Sequence, residues 1–153
     1  RANPHPVKGR YYVKDLRDWA QFCDVKIGNP PVFPVRAVNI MRACFVALDA
    51  GCLPAFAKAA FEAYWGDLKD ISQPEEIAAI AESVGLDVRH LAEAMQSDDV
   101  KARLRDNTEE LIARGGFGSP TMFINESDMY FGNDRLVLVE AALMAAQNQK
   151  VQA

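Results

Sequence analysis

The residues able to do chemistry fall into four small groups. Gly132 precedes Asn133-Asp134-Arg135, where a final helix begins. Glycine permits an unusual backbone turn there. Asn133 or Asp134 can cap the helix through a short side-chain oxygen. The free N–H groups of a helix start also receive a carboxylate. Ser119-Pro120 follows a glycine-rich turn, and an X-Pro bond in a tight turn can be cis. Lys8 and Asp15 stand two helical turns apart and can share a face. Asn39 and Arg42 lie one turn apart, and the arginine offers a planar fork to an anion. Each group has a plainer reading too. These are an N-cap beside a solvated Arg135, a trans proline opening an edge strand, surface charges of little worth, and a solvated face opposite Val38 and Met41.

Sulfur and metal chemistry are poorly provided for. Cys23, Cys44 and Cys52 are odd in number and form no C-x-x-C pair, the pattern of buried thiols in a reducing compartment. The dithiol of a thioredoxin-type redox enzyme is therefore missing. His5 and His90 have no cysteine or carboxylate at ligand spacing, so no metal is expected. A net charge of -4 argues against nucleic acid or a polybasic membrane surface. No apolar run approaches the length of a membrane span, and no signal peptide is evident. Asn125-Glu126-Ser127 is formally a glycosylation sequon, without other signs of secretion.

The elements that must position these groups follow from periodicity. The chain has 153 residues, 50% hydrophobic and 25% charged, which suits one soluble domain with a real core. The opening "RANPHPVKGR" reads as a loop inside a longer protein, with sequence expected upstream of Arg1. Gly9 to Asp24 carries Tyr12, Leu16, Trp19 and Cys23 at helical spacing. "VKIGNPPVFP" is a breaker-rich loop. Val38, Met41, Phe45 and Leu48 mark one face of the next helix. Pro54 can sit in the first turn of a third helix, striped by Phe56, Ala60, Phe61 and Tyr64. Trp19, Phe45, Phe61, Tyr64 and Trp65 are expected in the core. Ser72 with Glu75 reads as a capping box. Asp87 or Val88 starts a helix through Met95, and Ser97 or Asp98 opens the next, which stops at "RGG".

That makes about six helices before the pattern changes at Gly115. "TMFIN" and "MYFG" are β-prone around the turn "ESD", and a helix follows from Leu136 to Ala146. A lone hairpin is marginal in water, so its partner strands are expected from another chain or from an upstream β-α-β portion.

The order of elements resembles the C-terminal part of a thioredoxin fold with a helical insertion. More closely, it resembles the family of 2-hydroxychromene-2-carboxylate isomerases and kappa-class glutathione transferases. Three stretches carry the likeness: "KGRYYVKDLRDWA", "FPVRAVNIMRA" and "GGFGSPTMFINESDMYFGNDRLVLVEAAL". The implied fold class is α/β, thioredoxin-like, with a large all-helical insertion. Residues 1–8 would be a loop of the thioredoxin-like domain, 9–114 the helical insertion, and 115–153 the C-terminal half of the thioredoxin-like domain.

The resemblance also implies the site. Glutathione would be the cofactor, gripped by Asn3, Lys8, Ser119, Pro120, Phe131, Gly132, Asn133 and Asp134. Ser119 N–H and C=O would pair with the cysteinyl part, as in strand addition. Asp134 would meet the γ-glutamyl ammonium, with Asn133 and nearby N–H groups on the carboxylate, and Lys8 the glycyl carboxylate. Asp15 and Arg135 would organise the site as an ion pair. Asn39 and Arg42 would line the pocket of a small aromatic carboxylate. The family's serine beside the glutathione sulfur, in a Ser-Pro segment after the first strand, has no match here, so the catalytic residue is expected upstream of Arg1.

The implied activity is a glutathione-dependent cis-trans isomerisation by thiolate addition, bond rotation and elimination, in a cytoplasmic homodimer. A kappa-type transferase, a glutathione-binding module without catalysis, and a dithiol oxidoreductase whose motif lies upstream are the alternatives.

Overall fold

The apolar periodicity resolves into helices α1 (Pro6–Phe22), α2 (Val38–Asp49), α3 (Leu53–Phe61), α4 (Pro74–Ser83), α5 (Val88–Ala94) and α6 (Asp98–Ala113). Strands β1 (Thr121–Ile124) and β2 (Asp128–Phe131) follow, then a 3₁₀ turn (Asn133–Arg135) and α7 (Leu136–Gln152). The computed structural model describes residues 5–152, with side chains through Asn148. Among the described residues no helix is long and apolar enough to cross a membrane.

The chain divides into two compact units, one ending at Leu104 and the other beginning at Arg105. The division falls inside α6.

Unit one is helix packed on helix. Its core joins Ile40, Ala43, Val46 and Ala47 of α2 to Phe56 and Ala60 of α3, Ile77 and Ile80 of α4, and Leu91 of α5. Alanine at the α2–α3 contact lets the backbones approach closely. The buried face of α2 is therefore not the expected one. Val38, Met41 and Leu48 are exposed, because α2 carries two apolar stripes and the one with small residues packs better. α3 runs on into a π turn (Glu62–Gly66), with Asp67 N–H bonded to Glu62 C=O at 2.9 Å. Tyr64 is buried as expected, whereas Phe61 is 66% exposed.

Local signals set the ends of these helices. α1 begins at Pro6, three residues before the expected start at Gly9, so Pro6–Lys8 are helical rather than loop. Proline suits the first helical position, and His5 Nδ1 accepts from Val7 N–H at 3.4 Å. None of its residues is buried, and Trp19, expected in the core, is 57% exposed. Ser72 does not cap α4. Gln73 holds that position ahead of Pro74, and Ser72 donates its hydroxyl to Asp70 instead. Asp87 does cap α5, accepting from Arg89 N–H at 2.8 Å and His90 N–H at 3.1 Å. Ser97 Oγ accepts from Val100 N–H at 3.2 Å at the head of α6. Arg103 then grips Asp49 through two hydrogen bonds of 2.6 and 2.8 Å, fastening α6 to the end of α2.

Unit two holds the antiparallel pair β1–β2, with Thr121 opposite Phe131 and Ile124 opposite Asp128. Ile124 is its buried apolar residue. The end of α6 is fastened to the hairpin by Arg114. Its guanidinium lies 3.7 Å from the Phe123 ring centroid and donates to Glu126 C=O at 3.0 Å. α7 packs against β1 and the 3₁₀ turn.

Candidate functional site

Residues of the expected site lie in both units. In unit two, the ends of the hairpin meet. Gly132 N–H donates to Pro120 C=O at 3.0 Å, so Ser119-Pro120 and the "GNDR" turn are neighbours although Pro120 and Gly132 are twelve positions apart. The Ser119-Pro120 peptide is cis, as the resemblance implies. Ser119 and Pro120 are exposed, and neither main-chain group of Ser119 has a hydrogen-bond partner among the described residues. Thr121 Oγ1 steadies this corner by donating to Gly118 C=O at 2.6 Å. Phe131 leans over Gly118, where any Cβ would come within 2.7 Å of the ring. The Phe117 ring meets Phe131 at 4.6 Å between centroids.

Gly132 is needed for its backbone. Its φ is 102°, a region that side chains rarely adopt, and an added Cβ would lie 2.6 Å from Asp134 Oδ1. No side chain caps the 3₁₀ turn, which starts after Gly132. Asp134 Oδ2 accepts instead from Arg135 Nη1, and Asp134 Oδ1 has no donor among the described residues. Asn133 is exposed with its side chain unbonded among those residues. This corner therefore offers a free main-chain N–H and C=O, an open carboxylate oxygen and an amide. Those groups suit a small peptide with a charged amino terminus.

In unit one, Lys8 and Asp15 lie on α1, the lysine exposed and the aspartate half-buried. Asp15 accepts from Tyr11 Oη at 3.4 Å. Asp15 belongs to unit one and Arg135, the partner expected for it, to unit two. Asn3 lies outside the described residues. Asn39 and Arg42 sit half-buried on α2, one turn apart. Arg42 Nε is buried with no hydrogen-bond partner, and no carboxylate pairs with this guanidinium among the described residues. A buried cationic donor left unmatched is costly, so this position calls for an anionic partner.

All three cysteine thiols are free, and burial pushes the Cys44 thiol above its ordinary range. Among the described residues no group of three or more His, Cys, Asp or Glu is arranged to hold a metal. On the hairpin, the hydrogen bond to Asp128 holds the Tyr130 phenol above its ordinary range.

Sequence reasoning missed Arg114, whose position just before a Gly-Gly stop gave little hint of its hold on the hairpin. It helps line a polar hollow of about 260 Å³ beside Ser119 and Thr121. The π turn was missed as well.

Comparison with known proteins agrees with this architecture. The profile of the DSBA-like thioredoxin domain matches residues 1–144. A 2-hydroxychromene-2-carboxylate isomerase of Sphingobium xenophagum is 31% identical over 137 residues, which cover 90% of this chain and 69% of that protein. One from Pseudomonas sp. (strain C18) is 29% identical, with 92% of this chain and 65% of that protein covered. Glutathione S-transferase kappa 1 of Rattus norvegicus is 27% identical over 88% of this chain and 65% of its own length. The chain thus spans about two thirds of these relatives. A solved 2-hydroxychromene-2-carboxylate isomerase superposes with a TM-score of 0.78 at 27% identity, covering 99% of this chain and 75% of that one. With its helical block, its closing hairpin and its terminal helix, the chain belongs to the DSBA-like thioredoxin-domain family that includes the 2-hydroxychromene-2-carboxylate isomerases and the kappa glutathione transferases.

Proposed function

We propose that this protein is a glutathione-dependent cis-trans isomerase acting on 2-hydroxychromene-2-carboxylate or a similar aromatic carboxylate. The observation that carries the reading is the 3.0 Å bond from Gly132 N–H to Pro120 C=O, which joins the two ends of the hairpin. Around that bond, the unpaired main chain of Ser119 suits the extended backbone of glutathione. Asp134 Oδ1 is free to receive the γ-glutamyl ammonium, and Asn133 its carboxylate. Phe131 and Gly132 shape the corner. Lys8 would take the glycyl carboxylate, and Asp15 and Arg135 would serve as site-organising charges. Asn3 belongs to the same set.

When bound, glutathione supplies the thiolate that adds reversibly to the substrate's unsaturated carbon, so that the former double bond can rotate. The chain's own residues bind and orient. The unmatched guanidinium of Arg42 supports a substrate carboxylate held there, with Asn39 one turn away. Two anchored anionic ends and an immobile backbone corner convert a bimolecular encounter into a positioned one. The protein would work in the cytoplasm as a homodimer.

The test is conversion of 2-hydroxychromene-2-carboxylate by the intact protein, followed by absorbance with and without glutathione. Conversion to the ring-opened trans alkene should need glutathione without consuming it. No conversion at saturating glutathione would sink the isomerase reading. The kappa relatives, which match 88% of the chain in two mammals, favour a second reading, conjugation of electrophiles. Stoichiometric loss of glutathione with a chloronitroarene and no isomerisation would select it.

A further inference from the structure

Unit one contains a cavity of about 780 Å³ that none of the residues assigned to glutathione or substrate lines. One wall is the segment from Asp24 to Ile27, and the other is the end of α3 with the π turn. The walls are fastened together. Gly28 N–H donates to Trp65 C=O at 2.7 Å, and the Tyr64 hydroxyl donates to Val32 C=O at 2.9 Å. Lys26 Nζ pairs with Asp67 Oδ1 at 3.0 Å across the gap. Walls joined at Gly28–Trp65 and Lys26–Asp67 lose less freedom when the cavity is filled than unlinked ones would. π turns recur at functional sites, since the wider turn redirects side chains that a regular helix would place elsewhere.

The lining has a definite chemistry. Val25, Ile27, Phe61 and Trp65 give it an apolar body. Both lysines on the lining are already matched, Lys26 by Asp67 and Lys58 by Glu62 at 2.7 Å. Asp24 is the exception, since its carboxylate has no hydrogen bond or ion pair among the described residues. The uncompensated charge is therefore negative, and it stands at a cavity that also presents two aromatic rings. Ring faces attract cations, most strongly those that carry little hydration, such as quaternary ammonium groups.

We propose that this cavity binds a small organic cation with an apolar body, a quaternary or alkylated ammonium. Phe61 and Trp65 receive the cationic head, Asp24 is its counter-charge, and Val25 and Ile27 take the aryl or alkyl part. A carboxylate would face Asp24 directly, and a neutral compound would leave that charge unused. The proposal is independent of the glutathione reading, because the two share no residue.

The experiment titrates benzyltrimethylammonium, benzyl alcohol and benzoate separately into the ¹⁵N-labelled intact protein. Shifts should centre on the Trp65 indole N–H and the amides from Phe61 to Asp67. The ammonium should bind about fivefold more tightly than the alcohol, and benzoate most weakly. Asp24→Asn should remove the advantage of the cation. Phe61→Ala should weaken the ammonium about fivefold. Both positions are exposed, and the spread of amide signals checks that each variant is folded. Equal binding of all three probes, tighter benzoate, shifts centred elsewhere, or no binding would each overturn the proposal.

Discussion

At the scale of the residue, Asp134 and Arg42 are the most informative positions. Asp134 spends one carboxylate oxygen on Arg135 and keeps the other open. Glutathione should raise the melting temperature of the intact protein, and Asp134→Ala should abolish that rise. An unchanged rise in the variant would remove Asp134 from the site. Arg42 is half-buried, and its Nε has no hydrogen-bond partner among the described residues. Arg42→Gln should raise KM for the carboxylate substrate by roughly 10- to 100-fold, the worth of a hydrogen bond to a charged group, with kcat changed much less. A KM within twofold of the parent would show that the guanidinium does not meet the substrate. Resemblance in sequence picked out both residues, but it could not reveal that Arg42 Nε lacks a partner among the described residues. That fact depends on which of two apolar stripes α2 buries.

At the scale of the element, the hold of α6 on α2 is open to a pH experiment. The Arg103 hydrogen bond, together with its charge, keeps Asp49 below its ordinary value of 3.8. A carboxylate depressed in the folded state stabilises above its unfolded pKa, and that share is lost as pH falls through the folded value. The stability gap between parent and Asp49→Asn should thus be widest above about pH 4 and close on further acidification. Denaturant midpoints measured across that range check it, and a gap independent of pH would discount the pair. Periodicity made the helices legible, and Asp87 and Ser97 marked the starts of α5 and α6 because they act locally, whereas the starts of α1 at Pro6 and α4 at Pro74 were not read from sequence. The π turn was not legible. Its wider hydrogen bonding is supported by the distant partners of Tyr64 and Trp65, contributed by the Gly28 and Val32 loop, which no local window contains. Ser72 looked like a cap until Asp70 claimed its hydroxyl.

At the scale of the whole molecule, the two units differ in how they are held. Unit one has a continuous core centred on Phe56, which is wholly buried. Phe56→Ala should cost about 3–5 kcal/mol, read as a lower urea midpoint with the π turn still reporting through Trp65 fluorescence. A loss under 1 kcal/mol, well below the range for such truncations, would mean that the site collapses without a cavity. In unit two Ile124 is the buried residue among those described, and no residue of α1 is fully buried. The helical class and the hairpin were readable from composition and pattern. The exposure of Trp19 and Phe61 was not, because an aromatic at helical spacing looks the same in sequence whether or not something covers it.

The brevity of β1 has a consequence for solubility. An open strand edge is a template on which another copy can lengthen into a fibril. β1 has four residues, and Pro120 stands just before it with no N–H to donate. Gly132 N–H closes the same corner by bonding Pro120 C=O. A passing strand therefore finds only a short row of hydrogen-bonding groups, stopped by proline at one end and by a tight turn at the other. The corner proposed to grip a tripeptide is, by the same shortness, a poor seed for aggregation.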